Sequence, residues 1–281
     1  MRIGLITDSP SDLPEEFVKR NKIEVVPAIL VLEGQPYLDG IEITRTDFYT
    51  RLPALRNSPT TAAPSFENFS AHYRSLFKDG CEQIIGIFTA EKLTSIANIA
   101  RKAAEAFAGR VCVIESGSLS MGSGYQVMAA AEALGKGLQL AEVLEIVQSV
   151  RERIKVYAAL DTIEYVRRSG RVPNAVAALG GLLSIKPVVE LREGVVKPLG
   201  APRTTHKATD KLMDLLAELG PLESLSILHT NAEPRAREFL SRLTASQEYP
   251  LPAEIPIINV TTVIGTHVGP NGLGVAAVKK K

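Results

Sequence analysis

Two loops rich in hydroxyl side chains are the first candidates for a functional site in this chain of 281 residues. Residues 58–65 read SPTTAAPS, and Leu93–Ile96 (LTSI) follows the apolar run QIIGIF and opens a helical stretch. Hydroxyls and free backbone N–H groups at the start of a helix can bind an anion such as a carboxylate or a phosphate. Ordinary helix capping would use the same residues, and spacing alone leaves both interpretations open.

Three later loops place a cation or an imidazole beside glycine or proline. They contain Arg171 in SGRV, Arg203 in PRT and His267 in GTHVGP. A lone Arg or His in a loop is usually only solvated, so the three become a site only if they converge in space. The four histidines show no metal-ligand spacing, and we expect no metal site.

Asp8 and Asp12 follow the first predicted strand, on the side where open α/β sheets bind ligands. The pair could bind a metal, but Asp12 is more simply interpreted as the N-cap of a helix that begins at Pro14. Residues 117–124 (GSLSMGSG) offer Ser120 as a nucleophile between a strand and a helix. They fit neither G-x-G-x-x-G nor G-x-S-x-G, which favours a structural turn.

The first half of the chain alternates short β-branched runs with longer helical ones. This order predicts an open, mostly parallel, doubly wound sheet. The predicted strands are Ile3–Thr7, Ile23–Val26, Gln83–Phe88 and Val111–Glu115, and the predicted helices are Ser65–Lys78, Leu93–Phe107, Gln126–Leu134 and Ala141–Arg153.

The pattern changes near residue 154, where hairpins begin to mix with helices. We therefore predict a two-domain α/β protein, with residues 1–154 as the N-terminal domain, residues 155–281 as a C-terminal α+β domain with a mixed sheet, and a ligand cleft between them. The predicted strands are Val156–Leu160, Leu183–Leu191, Val195–Leu199, Leu225–His229, Glu254–Val260 and Gly272–Val278, and the predicted helices are Thr204–Leu219 and Glu233–Thr244.

Charge and hydropathy exclude several classes of function. With 32 Lys plus Arg against 31 Asp plus Glu, the net charge of +1 argues against a nucleic-acid-binding protein. The longest clean apolar stretch, Val25–Leu32, is far shorter than the ~20 residues of a membrane-spanning helix. The N-terminus runs straight into a strand pattern without a signal peptide, so we expect a cytoplasmic protein.

Taken together, these segments resemble the DegV family of bacterial fatty-acid-binding proteins, and the resemblance covers essentially the whole chain. Most of the matching segments are weak alone, but their joint order along the chain is highly specific. The segments are ITDSPSDLP at Ile6–Pro14, EGQPYLDG at Glu33–Gly40, TAAPS at Thr61–Ser65, YVRRSGRV at Tyr165–Val172, LGGLLSIKPVV at Leu179–Val189, PRTTHKA at Pro202–Ala208 and THVGPNGLGV at Thr266–Val275.

The resemblance implies a two-domain fold that holds a long-chain fatty acid, such as palmitate, stearate or oleate, in an interdomain tunnel without a cofactor. It implies a binding protein rather than an enzyme. Such a protein presents the carboxylate to a separate ATP-dependent fatty acid kinase for acyl phosphate formation, a step in phospholipid precursor metabolism. Transient contact with a membrane surface is compatible with that task. The absence of a Gly-x4-Gly-Lys-Ser/Thr loop from the sequence agrees with a phosphate donor bound on another protein.

Individual residues can be matched to the family's motifs. The resemblance assigns the fatty acid carboxylate to Thr61, Thr94, Ser95 and His267, and it makes Arg171 and Arg203 the arginines that face the head group or the kinase. The sequence departs from the family twice: Ala62-Ala63 replaces Ser-Gln, and Leu93–Ile96 replaces Leu-Ser-Gly-Thr. Ser95 therefore stands where the family has glycine, which leaves the head-group geometry open.

Two other functions compete with fatty acid binding. An acyl hydrolase or transferase would use Ser120, Thr61 or Thr94 together with His267 as a Ser/Thr-His pair. A binding module for a phosphorylated metabolite would use the same basic loops, and it would need a short polar pocket rather than an apolar tunnel.

Overall fold

The computed structural model describes residues 2–170, 185–246 and 250–281. The strands are β1 (Ile3–Asp8), β2 (Glu24–Val26), β3 (Ile29–Leu32), β4 (Gln35–Leu38), β5 (Thr60–Ala62), β6 (Gln83–Phe88), β7 (Val111–Glu115), β8 (Ile154–Ala159), β9 (Val188–Arg192), β10 (Val195–Gly200), β11 (Leu222–His229), β12 (Ile257–Asn259) and β13 (Leu273–Lys279). The α-helices are α1 (Glu15–Asn21), α2 (Arg45–Arg51), α3 (Phe66–Lys78), α4 (Ile96–Ala104), α5 (Met121–Gly135), α6 (Leu140–Arg153), α7 (Glu164–Ser169), α8 (Thr205–Ala217), α9 (Glu233–Ser246) and α10 (Thr262–Val268).

A parallel sheet in the order β2-β1-β6-β7 forms the centre of the first half. Its inner strands are buried and mostly apolar because helices cover both faces. One face packs on α3 and α4 around Tyr73 and Phe88, and the other packs on α1, α5 and α6 around Ile85 and Val143. The predicted doubly wound sheet is confirmed, and β6 and β7 have the predicted bounds.

A mixed sheet in the order β10-β9-β8-β13-β11-β12 forms the centre of the second half. Its strands pair antiparallel except β11 with β12. One face packs on α8 and α9 around Leu212 and Phe239. The other packs on α5 and α10 around Tyr125 and Ile264. Since α5 also packs on the parallel sheet through Val127, this helix lies between the two sheets.

The predicted helix Gln126–Leu134 begins five residues earlier, at Met121. Its first turn is glycine-rich because the backbone lies too close to its neighbours for a side chain. A Cβ on Gly122 would lie 2.0 Å from the Ser118 hydroxyl oxygen, and one on Gly124 would lie 2.7 Å from the Ser11 carbonyl oxygen. Glycine therefore serves close packing here, although in the sequence it resembles a loop.

A third sheet, antiparallel in the order β4-β3-β5, was not predicted. It packs with α2 around a small core that includes Leu30 and Phe48. Residues 58–65 were interpreted as a loop, but Thr60–Ala62 of that segment pair with β3 as strand β5. This sheet brings Thr61 to the edge of the site described next.

Candidate functional site

A cavity of about 450 Å³ lies where the carboxyl ends of β1 and β6 face the mixed sheet and α10. Its volume falls within the range of ordinary small-molecule sites. Apolar side chains form most of the wall, and those from β8, β9 and β10 include Val156, Leu191 and Val196. The hydroxyl and imidazole side chains on the wall belong to Thr61, Thr89, Thr94, Ser95, Ser169 and His267.

Thr61 and His267 meet on this wall. Thr61 lies on β5 opposite Leu30 of β3, and His267 lies in the last turn of α10. The Thr61 Oγ1 and His267 Nε2 atoms are 3.0 Å apart. When the His267 Nε2–H donates to the Thr61 oxygen, the Thr61 O–H can donate a directed hydrogen bond to a carboxylate.

Two buried aspartates fix the start of α10 and thereby the position of His267. The Thr261 amide donates to Asp12 Oδ1 at 2.8 Å. The Thr262 amide and hydroxyl donate to Asp39 Oδ1 at 3.2 and 2.6 Å. These carboxylates accept from N–H groups that a helix start leaves without intrahelical partners, and their negative charge suits the helix dipole.

Thr94 and Ser95 lie between β6 and α4, and both line the cavity. Ser95 is the N-cap of α4, but its side chain accepts no capping hydrogen bond from the described residues of that helix. In contrast, Ser65 caps α3 as predicted and accepts from the Asn68 amide at 3.2 Å. The Ser95 hydroxyl is therefore available to a ligand rather than committed to its own helix.

Of the two arginines expected at the site, the structure describes only Arg203. Arg203 lies in the loop between β10 and α8, is exposed, and is not among the described residues of the cavity wall. Arg171 lies outside the described residues, as does the beginning of the segment Leu179–Val189. Thr61, Thr94, Ser95 and His267 are thus brought together, whereas Arg203 lies apart from them on the surface.

The interpretation of Asp12 as a helix N-cap was wrong. Helix α1 begins at Glu15, its N-cap is Pro14, and Asp12 is buried in a left-handed conformation with a φ of 55°. The Asp12 carboxylate accepts from the Ser120 hydroxyl at 2.5 Å and lies 3.2 Å from the Arg45 guanidinium. Burial raises the pKa of Asp12 to about 6, against the opposing effect of Arg45.

Ser120 is buried, with a φ of 50°, at the start of α5. Its hydroxyl is directed to Asp12, and Ser120 does not line the 450 Å³ cavity as far as the described residues define it. The hypothesis of a hydrolase that pairs Ser120 with His267 therefore has no support in this geometry.

Sequence reasoning missed Thr89, which lines the cavity directly after β6. The Thr89 amide donates to Asp8 Oδ2 at 3.0 Å, and burial raises the pKa of Asp8 to about 6. The position of Thr89 at the carboxyl end of a parallel strand was the signal that could have identified it. Among the residues that the structure describes, no group of three or more His, Cys, Asp or Glu side chains could hold a metal ion.

Comparison with known proteins gives the family. A sequence profile of the DegV family, described as uncharacterised, matches residues 2–280. The chain belongs to the DegV family. A DegV domain-containing protein of Staphylococcus aureus (strain MRSA252) is 30% identical to it over 280 residues, 98% of either chain.

Solved DegV structures share the whole fold. The DegV family protein from Thermus thermophilus, reported to bind fatty acid, is 32% identical and matches with a TM-score of 0.91 over all of both chains. DegV from Bacillus subtilis, reported as a fatty acid binding protein, is 25% identical and matches with a TM-score of 0.87, again over both whole chains. The resemblance found in the sequence and the predicted fold class are therefore confirmed. Among the described helices of this DegV family chain, none is long and apolar enough to cross a membrane.

Proposed function

We propose that this DegV family chain binds a long-chain fatty acid in the 450 Å³ cavity. The carboxylate lies at Thr61, Thr94, Ser95 and His267, and the alkyl chain follows the apolar wall. The observation that carries this proposal is the distribution of polarity in one cavity, where a few hydroxyls and one imidazole interrupt a wall that is otherwise carbon. The fatty acid binding reported for the Thermus thermophilus and Bacillus subtilis relatives supports it.

The two parts of the ligand would contribute differently to binding. Each buried methylene group contributes about 0.8 kcal/mol, so the chain supplies most of the affinity. Hydrogen bonds to a carboxylate contribute about 1.5–3 kcal/mol each, and they decide which end of the acid lies at Thr61. A carboxylate buried without such partners would be protonated or expelled.

The proposal includes presentation of the carboxylate to a separate ATP-dependent fatty acid kinase in the cytoplasm, with transient membrane contact for exchange of the acid. In this arrangement residues 1–154 and 155–281 act as the two domains on either side of the ligand. The exposed position of Arg203 supports a role toward the kinase rather than toward the buried chain. The match of Arg171 to the family's motif assigns it the same task.

Lipid extraction tests the binding proposal. The purified protein is denatured and extracted with organic solvent, and the extract is analysed by mass spectrometry. We expect a fatty acid in stoichiometric amount. Its repeated absence, together with failure to bind added palmitate or oleate, would overturn the proposal.

Arg203→Ala tests the division of roles. We expect the variant to retain fatty acid like the wild type and to support slower acyl phosphate formation by the kinase. Arg237→Ala is the matched control, because Arg237 is also exposed but lies on α9 in an ion pair with Glu233. Loss of lipid binding with unchanged kinase turnover would contradict the assignment.

One observation keeps the hydrolase alternative open: the Thr61 hydroxyl and His267 Nε2 are 3.0 Å apart, the spacing of a nucleophile and its general base. Incubation with a chromogenic acyl ester separates the two functions. Turnover that is lost in His267→Ala would favour an enzyme, and no turnover above a buffer blank favours the binding protein.

A further inference from the structure

A second, smaller cavity of about 70 Å³ adjoins the first. The two cavities share five described wall residues, so a single layer of side chains separates them. The shared residues are Leu119, Val156, Ala158, Ile264 and Val268. The far wall of the small cavity includes Leu228 and Gly274 of the mixed sheet and Val260, which directly follows β12.

The small cavity exists because neighbouring strands carry small residues at one level of the sheet. Gly274 of β13 pairs with Ala158 on β8 and with Leu228 on β11. A Cβ added to Gly274 would lie 2.9 Å from the Tyr157 carbonyl oxygen and 3.6 Å from the Cβ atoms of Ala158 and Leu228. Two adjacent positions with little or no side chain leave a depression that Leu119, Ser120 and α10 cover without filling.

The polar groups on this wall already have partners within the protein. The Ser120 hydroxyl donates to Asp12, the Thr230 hydroxyl accepts from the Gly272 amide at 2.6 Å, and His229 Nδ1 accepts from the Ala232 amide at 3.1 Å. Burial also lowers the pKa of His229, which keeps its ring neutral. A space with these walls suits carbon rather than water or an ion.

We propose that the small cavity is a subsite for methylene groups of the alkyl chain that the 450 Å³ cavity does not hold, and that Leu228 and Val260 set the chain length this protein prefers. This inference rests on the proposed function. The carboxylate end is fixed at Thr61, so a longer chain has to extend further along the wall. The layer of Leu119, Val156 and Ile264 is then the boundary that a longer chain displaces to enter the small cavity.

Variants at Leu228 test the subsite, because Leu228 lines the small cavity and is not among the described residues of the large one. The dissociation constants of a series of saturated acids, from dodecanoic to eicosanoic acid, are measured for each variant. We expect Leu228→Ala to shift the preference toward longer acids and Leu228→Phe to shift it toward shorter ones. Each methylene that Leu228→Phe excludes should weaken binding about fourfold, while dodecanoic acid is unaffected.

Two further variants keep the test decisive. Val260→Ile adds one methyl group to the same wall and should shift the preference in the direction of Leu228→Phe if that variant does not fold. Leu216→Ala, in the core on the other face of the mixed sheet, lowers stability without touching either described cavity wall and should leave the preference unchanged.

The outcomes also separate this inference from the proposed function. If the wild type binds no fatty acid, the proposed function fails. If the wild type binds the series but the variants weaken all acids by the same factor or leave the order of preference unchanged, the subsite is overturned and fatty acid binding stands.

Discussion

At the scale of single residues, the site depends on hydroxyl groups whose positions the backbone dictates. Thr61 is half-buried on β5 and lies 3.0 Å from His267, whereas its neighbour Thr60 on the same strand is exposed. Since successive residues of a strand point to opposite faces, these two threonines have the same chemistry but face different surroundings. Of these two threonines, only Thr61 lines the cavity.

Thr61→Val removes that donor while keeping the shape of the side chain. We expect the fatty acid affinity to fall roughly tenfold to a hundredfold, because a hydrogen bond to a charged group is worth about 1.5–3 kcal/mol. Calorimetric titration with palmitate measures the effect. Thr61→Ser should bind like the wild type, and Thr60→Val serves as the control on the same strand. Equal losses in Thr60→Val and Thr61→Val would mean that the strand, rather than the hydroxyl, was affected.

The raised pKa of Asp8 leads to a separate prediction about how the free energy of unfolding depends on pH. Burial raises the pKa of Asp8 to about 6 in the folded protein, while the unfolded chain has the ordinary value near ~3.9. The folded state therefore binds the proton more tightly, and the free energy of unfolding falls as the pH rises from about 4 to about 6, then levels off. Two pKa units correspond to at most ~3 kcal/mol.

The Asp8→Asn variant should lose this part of the pH dependence. Urea unfolding of the wild type and the variant at pH values across that window gives the comparison. We expect the stability of the variant, relative to the wild type, to rise with pH by up to ~3 kcal/mol and then to stay constant. Part of the slope remains in the variant, because the pKa of Asp12 is raised in the same direction. Parallel curves for the two proteins would show that Asp8 does not titrate in this window.

At the scale of elements, α10 is a short helix that carries His267 of the proposed site and depends on other segments for its position. Its N-terminal amides donate to Asp12 and Asp39, which come from the loop after β1 and from the end of β4. Tyr49 of α2 lies against the same helix, since a Cβ on Gly265 would lie 2.3 Å from the Tyr49 hydroxyl oxygen. The position of His267 therefore depends on contacts far away in sequence.

Asp39→Ala tests this dependence. It leaves the Thr262 amide and hydroxyl without their acceptor, and we expect a loss of about 1–3 kcal/mol in the free energy of unfolding. Fatty acid affinity should fall as well, because α10 loses its anchor and His267 moves. Asp39→Asn keeps a carbonyl oxygen for these donors and should lose less of both quantities. Asp47→Ala, which also removes an aspartate but from the exposed first turn of α2, should leave affinity unchanged. If Asp39→Ala lowered stability but left affinity intact, the anchor would have no role in the site.

The strands of the two large sheets and most helices could be predicted because their signals are local. The run QIIGIF is apolar enough to be a central strand by itself, and Ser65 with Asn68 marks the start of α3. The role of Asp12 could not be predicted, because its partners Ser120, Arg45 and Thr261 lie up to 249 residues away. For the same reason the pairing of Thr61 with His267 follows from the tertiary fold, and in the sequence only the family resemblance assigns both residues to one carboxylate.

At the scale of the whole molecule, the cavity is closed by contacts between segments of the two large sheets. The turn of the β9–β10 hairpin lies against the loop after β7, where the Gly194 amide donates to the Gly117 carbonyl at 2.8 Å. Arg151 on α6 joins the two sides: its guanidinium lies 3.2 Å from Glu115 Oε2 and 3.0 Å from Glu193 Oε2 in the hairpin turn. Leu191 and Val196 of the same hairpin line the cavity. The contacts of this turn therefore fix the position of the cavity wall that the β9–β10 hairpin forms.

Replacing Arg151 with methionine removes both ion pairs while retaining much of the apolar stem. Glu193 is 64% exposed, so its pair with Arg151 is worth at most about 1 kcal/mol. We expect the bound fatty acid to dissociate about two- to fivefold faster, because the hairpin separates more readily from the loop after β7. Stopped-flow transfer of a fluorescent fatty acid to acceptor vesicles measures the rate.

Added salt should accelerate release from the wild type more than from Arg151→Met, since salt screens a pair that the variant lacks. Lys102→Met, which removes an ion pair with Glu105 on the parallel-sheet side alone, should release the acid at the wild-type rate. If the two variants behaved alike, the acid would leave by a route that does not require the hairpin to move.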